Sequence, residues 1–134
     1  MKFSITADSQ TGCVRKKNED MVLVGDKYIR NANFWTMIDI PAQDRFIIAL
    51  ADGMGGHAGG EVASSDVLHN LHYFIHDLPS GLHASDINEH LYEWLQSMNN
   101  IVDSKGHSDP AFKDMGTTLV AQAKIGRASC RERV

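Results

Sequence analysis

Residues 45–64 read RFIIALADGMGGHAGGEVAS, and the rest of the chain is organised around this stretch. Phe46 to Ala51 is an apolar run without a polar break, the pattern of a buried strand. The run ends on Asp52-Gly53, and Gly55, Gly56, Gly59 and Gly60 follow before Glu61 and Val62 open a helical pattern. A strand that leads through a carboxylate into a glycine-rich turn exposes one charged group at a site. Glycine lets the backbone approach a ligand or a packed neighbour closely, and the N–H groups of such a turn can face an anion. The turn is not a nucleotide P-loop, because Glu61 stands where that motif carries Lys followed by Ser or Thr. It does not match GxGxxG followed by an acidic residue on a second strand either. An acidic turn suits a cation better than a phosphate. Taken alone, the same glycines also fit an ordinary turn that serves close packing.

Bulk properties narrow the class. The chain has 134 residues and a formal net charge of −4, which fits one domain at most and argues against a nucleic-acid footprint. Its apolar runs are too short to span a bilayer and no signal sequence opens it, so the expectation is a cytoplasmic protein with neither membrane nor nucleic-acid partners. Cys13 and Cys130 are the only cysteines and form no CxxC, which leaves no disulfide scaffold or thiolate metal site. The last residues, IGRASCRERV at 125–134, break both the preceding strand pattern and the acidic balance. They are what a common DNA-sequencing adapter encodes in one reading frame. The expectation is therefore a natural sequence over 1–124 followed by a non-native tail at 125–134.

The predicted order of elements is four strands, two helices and a strand. Strands are expected at Phe3 to Ala7, Met21 to Val24, Phe34 to Ile40 and Phe46 to Ala51, with Gly25-Asp26 closing the second. Strands in succession with short connections argue for antiparallel pairing and an α+β fold, not βαβ repetition. Val67, Leu68, Leu71, Phe74, Ile75 and Leu78 then share one helical face, which Pro79-Ser80-Gly81 stops. Ile87, Leu91, Trp94, Leu95, Met98, Ile101 and Val102 make a second apolar stripe, with Asp86 and Glu89 as a capping pair. Asp103 to Asp114 reads as a polar loop, and Met115 to Ala121 resumes β character.

The residues suited to chemistry are acidic. Glu19 and Asp20 lie just before a strand, and Asp52 lies at the end of one. Mg²⁺ and Mn²⁺ take oxygen ligands and usually keep several waters. A carboxylate bridging two such ions can hold a water that becomes a nucleophile for in-line attack on phosphorus. Asp52 suits the bridge, with the Gly53 carbonyl as a neutral ligand. Arg15 precedes the acidic pair, and a guanidinium grips two phosphate oxygens at once; Arg15-Lys16-Lys17 also fits a plain solvated turn. His69, His72 and His76 fall on one helix face, but without a third ligand they read as a solvated face, not a zinc site. Cys13 precedes Arg15 at the wrong spacing for a cysteine-based phosphatase.

Three segments in order, VRKKNED at 14–20, ALADGMGGHAGGEVAS at 49–64 and MGTTLV at 115–120, resemble the bacterial branch of the metal-dependent Ser/Thr protein phosphatases, the type 2C or PPM family. The first matches R-x-x-N-E-D and the second D-G-M-G-G-H-x-x-G-E. The resemblance runs from Phe3 to about Lys124 and covers the N-terminal half of a family domain. It implies an αββα sandwich, two antiparallel sheets flanked by helices. It implies hydrolysis of phosphoserine and phosphothreonine in proteins, counteracting Ser/Thr kinases, at two Mn²⁺ or Mg²⁺ ions and without a covalent intermediate. Arg15 would bind the substrate phosphate, Glu19 and Asp20 would contact the metals directly or through water, Asp52 would bridge them, and Gly53 would complete one shell. The best-known eukaryotic members carry a histidine directly after Asp-Gly as the proposed general acid. Here Met54 holds that place and His57, three residues on, is the candidate acid. Further family aspartates in D-G and D-N contexts are absent after Asp114, so the metal site is expected to be incomplete and the chain inactive by itself. The competing expectations are a non-catalytic phosphoprotein-binding or regulatory module and an inert fragment.

Overall fold

The computed structural model describes residues 1–41 and 44–126, together with the backbone of 128–133. Seven strands and two helices follow in the order β1 (Lys2–Ser9), β2 (Asp20–Val24), β3 (Lys27–Ile29), β4 (Ala32–Asp39), β5 (Arg45–Met54), α1 (Gly59–Asp77), α2 (Ala84–Ser108), β6 (Gly116–Ile125) and β7 (Ala128–Arg133). A single 3-10 turn at Pro110–Phe112 separates α2 from β6. All strand pairs are antiparallel and fall into two sheets, β1-β4 and β3-β2-β5-β6-β7. The α+β architecture expected from the strand-first order is the one observed.

The central strand β5 alternates strictly. Ile47, Ala49 and Ala51 are buried on the face that α1 covers, packing with Val67, Leu68, Leu71 and Ile75 of that helix. Ile87 and Met98 of α2 and Leu119, Ala121 and Ala123 of β6 complete this core. Small residues on β5 let the helix sit close, and burying each Leu or Ile contributes about 1.5–3 kcal/mol. The other face of β5 turns towards the two-stranded sheet, where Ile5, Ala7, Val24, Ile29, Phe34 and Phe46 form a smaller cluster. That sheet does not cover all of β5. Ile48 and Leu50 stay 37% and 45% exposed, lining an apolar cleft of about 300 Å³ with Ile5, Ala7 and Val22. The apolar run at 46–51 predicted burial on both faces; only one face is packed throughout.

Helix α1 runs back along β5, so its first turn lies near Asp52 and its last near Arg45. There the Arg45 guanidinium donates to the Ile75 and His76 carbonyls, each at 2.8 Å, satisfying two acceptors that the helix end leaves unpaired. Three local departures from the expected elements have identifiable causes. Strand β3 is only three residues long and follows β2 across a tight turn, too short for any apolar period to announce. Helix α2 extends through Asp103–Ser108, where Lys105 forms an ion pair with Asp66 of α1 and so anchors a turn that carries no apolar stripe. Asp86 does act at the start of α2, but from inside the helix: it accepts the His83 N–H at 3.3 Å, making His83 the cap. Of the tail at 125–134, residues 127 and 134 lie outside the described residues, as do Ala42 and Gln43 elsewhere. No helix among the described residues is long and apolar enough to cross a membrane.

Candidate metal and phosphate site

Strands β2 and β5 pair so that Asp20 stands opposite Asp52, at the edge where both strands meet the first turn of α1. Neighbours across an antiparallel pair share a face, so the register itself brings the two carboxyls together. Burial, a side-chain hydrogen bond to Asp52 and the Asp52 charge, in that order, hold the Asp20 carboxyl above the ordinary carboxylate range. The charges of Arg15 and Arg30 oppose this rise. Like charges set side by side repel, so the pair attracts positive charge.

The glycines of the turn have a direct steric reason. A Cβ on Gly53 would lie 2.0 Å from the Gly60 carbonyl oxygen and 2.9 Å from the Glu19 carbonyl oxygen. A Cβ on Gly60 would lie 1.8 Å from Glu19 Oε2. The start of α1, the end of β5 and the acidic loop are therefore in backbone contact, which only residues without side chains permit. The Gly53 N–H donates to the Glu19 carbonyl at 3.2 Å, closing that contact. On the other side of β5, Thr117 Oγ1 donates to the Asp52 carbonyl at 3.0 Å, so β6 also holds this strand end. Gly56 N–H reaches the Lys113 carbonyl at 3.3 Å, tying the turn to the segment before β6.

The acidic loop is held just as closely. Asn18 is 7% exposed; its amide donates to Ser9 Oγ at 2.8 Å and its Oδ1 accepts the Asp20 N–H at 3.1 Å. Buried Ser64 donates to the Glu19 carbonyl at 2.6 Å, and Arg30 Nε donates to the Asp20 carbonyl at 3.0 Å. Asn18, Arg30 and Ser64 were not singled out from sequence. Asn18 and Ser64 sit inside the quoted motifs, so those motifs held the signal. Arg30 lies in none, and nothing local to it could have found it.

The residues expected to act together are distributed as follows. Asp20 and Asp52 meet directly. Glu19 lies beside them in the chain, but its side chain packs against Gly60 at the start of α1, where unpaired N–H groups favour negative charge. Among the described residues no three of His, Cys, Asp and Glu are grouped so as to hold a metal ion. The donor set at hand is thus the Asp20–Asp52 pair of hard oxygen ligands, which fits Mg²⁺ or Mn²⁺ rather than a softer ion. Arg15 is exposed on the loop before the pair, close enough for its charge to act on Asp20. His57 is exposed on the glycine turn with a left-handed φ of 52°. Of the three helix histidines, His76 is exposed, as a solvated face requires, but the other two are not. His69 stacks on Tyr28 of β3 with ring centroids 3.8 Å apart, and Tyr28 Oη lies 3.0 Å from His72 Nδ1. His69 and His72 pack the edge of the sheet instead.

Comparison with known proteins points one way. No protein-family model matches the chain. The Ser/Thr protein phosphatase PstP of Mycobacterium tuberculosis is 35% identical over 115 residues, covering 86% of this chain and 18% of that protein. Protein phosphatase PhpP of Streptococcus pneumoniae is 32% identical over 128 residues, covering 93% of this chain and 44% of that protein. In structure, the crystallographic M. tuberculosis PstP aligns with a TM-score of 0.69 and 30% identity, over 99% of this chain and 46% of that one. The chain thus spans less than half the length of these relatives. Sequence motifs, sheet topology and both kinds of likeness agree: the chain belongs to the bacterial PP2C-type serine/threonine phosphatase family, in a match that fits the N-terminal half of such a domain.

Proposed function

We propose that the chain carries the first part of the active site of a metal-dependent protein serine/threonine phosphatase. The observation that carries this reading is the Asp20–Asp52 pair, set face to face across β2 and β5 beside the glycine turn. Asp20 and Asp52, with the Gly53 carbonyl and Glu19 alongside, would hold Mn²⁺ or Mg²⁺. The chemistry supplied on metal binding is activation of a water for attack on a phosphomonoester. The chain's own residues do the rest. Asp52 would serve as the bridging ligand, presented from a strand end held on both sides. Arg15, exposed and free to turn towards solvent, binds two oxygens of the incoming phosphate. His57 on the exposed turn is the proposed proton donor to the leaving serine or threonine oxygen.

The substrates in this reading are cytoplasmic phosphoproteins bearing phosphoserine or phosphothreonine, and the enzyme counteracts Ser/Thr kinases in signalling. Residues 1–124 are the natural part of a PPM-type domain and 125–134 the non-native tail. In the full-length protein, Asp52→Asn should reduce Mn²⁺-dependent hydrolysis of a phosphothreonine peptide below about a hundredth of the parent rate, more than the loss of an outer-sphere partner would cause. Parent-like turnover in that variant would remove Asp52 from the metal site. A phosphoprotein-binding module would instead retain the peptide without Mn²⁺ and show no response to Asp52→Asn.

A further inference from the structure

The acidic loop enters β2 at Asp20, and the orientation of that residue's carboxyl depends on where its peptide is held. One side chain reaches this peptide from the far edge of the sheet. Arg30, just after β3, donates through Nε to the Asp20 carbonyl at 3.0 Å and through Nη2 to the Glu61 carbonyl at 3.2 Å. The same Nη2 donates to Ser64 Oγ in a short hydrogen bond. Ser64, wholly buried on α1, donates to the Glu19 carbonyl at 2.6 Å, the nearest of three acceptors; the Gly60 and Glu61 carbonyls of its own helix lie at 3.0 and 3.3 Å. The Glu19 carbonyl also accepts the Gly53 N–H, so both its lone pairs are used. β3, β2, β5 and the first turns of α1 are thereby linked through one guanidinium and one hydroxyl.

Among the described residues Arg30 forms no ion pair; its hydrogen bonds go to two carbonyls and a hydroxyl. Such a use exploits the planar fork of a guanidinium, whose donors point in fixed directions at acceptors on two different elements. An ammonium would supply the charge but not that geometry. We infer that Arg30 and Ser64 are positioning residues that hold the Glu19–Asp20 peptides so that the Asp20 carboxyl faces Asp52. This rests on the reading of Asp20 and Asp52 as metal ligands. Loss of an outer partner that orients a ligand lowers metal affinity by about 10- to 100-fold.

The test is Mn²⁺ titration by calorimetry of the full-length protein and its Arg30→Gln, Arg30→Lys, Ser64→Ala and Arg30→Gln/Ser64→Ala variants, with circular dichroism confirming the fold of each. Arg30→Gln should weaken Mn²⁺ binding about 10-fold or more. At saturating Mn²⁺ the KM for a phosphothreonine peptide should stay near that of the parent. Arg30→Lys should remain as weak as Arg30→Gln, and the double variant should be little worse than Arg30→Gln, because one linked unit is not additive. If Arg30→Gln does not fold, Ser64→Ala, which keeps the Arg30 bonds to Asp20 and Glu61, should still weaken Mn²⁺ several-fold. Full rescue by lysine would show that charge alone matters and overturn the tether. Unchanged Mn²⁺ affinity in both Arg30→Gln and Ser64→Ala would do the same. A parent protein that binds no Mn²⁺ overturns the metal reading itself, and the tether with it.

Discussion

The two faces of β5 are made from one apolar run, yet they are packed very differently. Towards α1, the alternate residues fall from Ile47 through Ala49 and Ala51 to Gly53, where the helix backbone at Gly60 lies against the strand. Towards the two-stranded sheet, Ile48 and Leu50 line an open cleft. The difference teaches where precision is needed. The tight face ends in the backbone contact of Gly53, Gly60 and Glu19, which sets the position of Asp52 relative to Asp20. Both carboxyls project from the open face, beyond the end of the cleft, whose lining does not include them.

The most severe way to break the comparison is to add one methyl at its tightest point. A Cβ at Gly53 meets three backbone atoms within 3 Å, none of which can rotate aside. Gly53→Ala should therefore cost more than about 5 kcal/mol, enough to unfold a domain of ordinary stability. For Gly60→Ala the three nearest atoms all belong to the Glu19 side chain, which can swing away, so it should fold while displacing that carboxylate. Circular dichroism and denaturant midpoints would separate the two. Equal effects would mean that α1 is not in contact with the end of β5.

The comparison sharpens further up the strand. Leu68 on α1 is fully buried against the tight face, and Leu68→Ala should cost about 2–5 kcal/mol from lost contacts and the cavity left behind. Leu50 faces the cleft, and Leu50→Thr should stay within about 1 kcal/mol, as half-exposed positions do. Both are read from urea midpoints at a common slope. A loss at Leu50 as large as at Leu68 would show the two faces to be equally packed.

How much of this was legible in the sequence follows from the range of each interaction. The strand, turn and helix at 45–64 are contiguous, and their patterns identify them directly. The helix faces repeat at 3.6 residues, so Leu68, Leu71 and Ile75 announce themselves as core. Asp20 and Asp52 are 32 positions apart, and it took the family resemblance to bring them to one site; the register of β2 on β5 shows how they meet. Ser64 sits inside a quoted motif, but Arg30 lay beyond reach. Its partners stand 10 to 34 positions away, and a guanidinium bound to carbonyls leaves no charged counterpart to recognise in sequence. The cleft was hidden for another reason: an apolar run states that a strand prefers burial, not whether a neighbour covers it.

The histidines of α1 test a gentler contrast, between the acidic end of the helix and its middle. His72 packs beneath Tyr28 of β3, with His69, Tyr73 and His76 from its own helix and Asp26 from the β2–β3 turn around it. Burial lowers its pKa, the His76 charge lowers it further, Asp26 opposes, and His69 adds a smaller push downward. A folded pKa below the unfolded value of about 6.5 means that the unfolded chain binds the proton more readily. The stability His72 contributes is thus complete above that value and falls away as the pH drops through the folded pKa. His72→Gln removes this titration while keeping a side chain able to bond Tyr28. Urea midpoints taken between pH 7.5 and 5 should fall more steeply for the parent than for His72→Gln. Parallel slopes would place the ring in water in both states, and Tyr28 would then be an ordinary surface tyrosine.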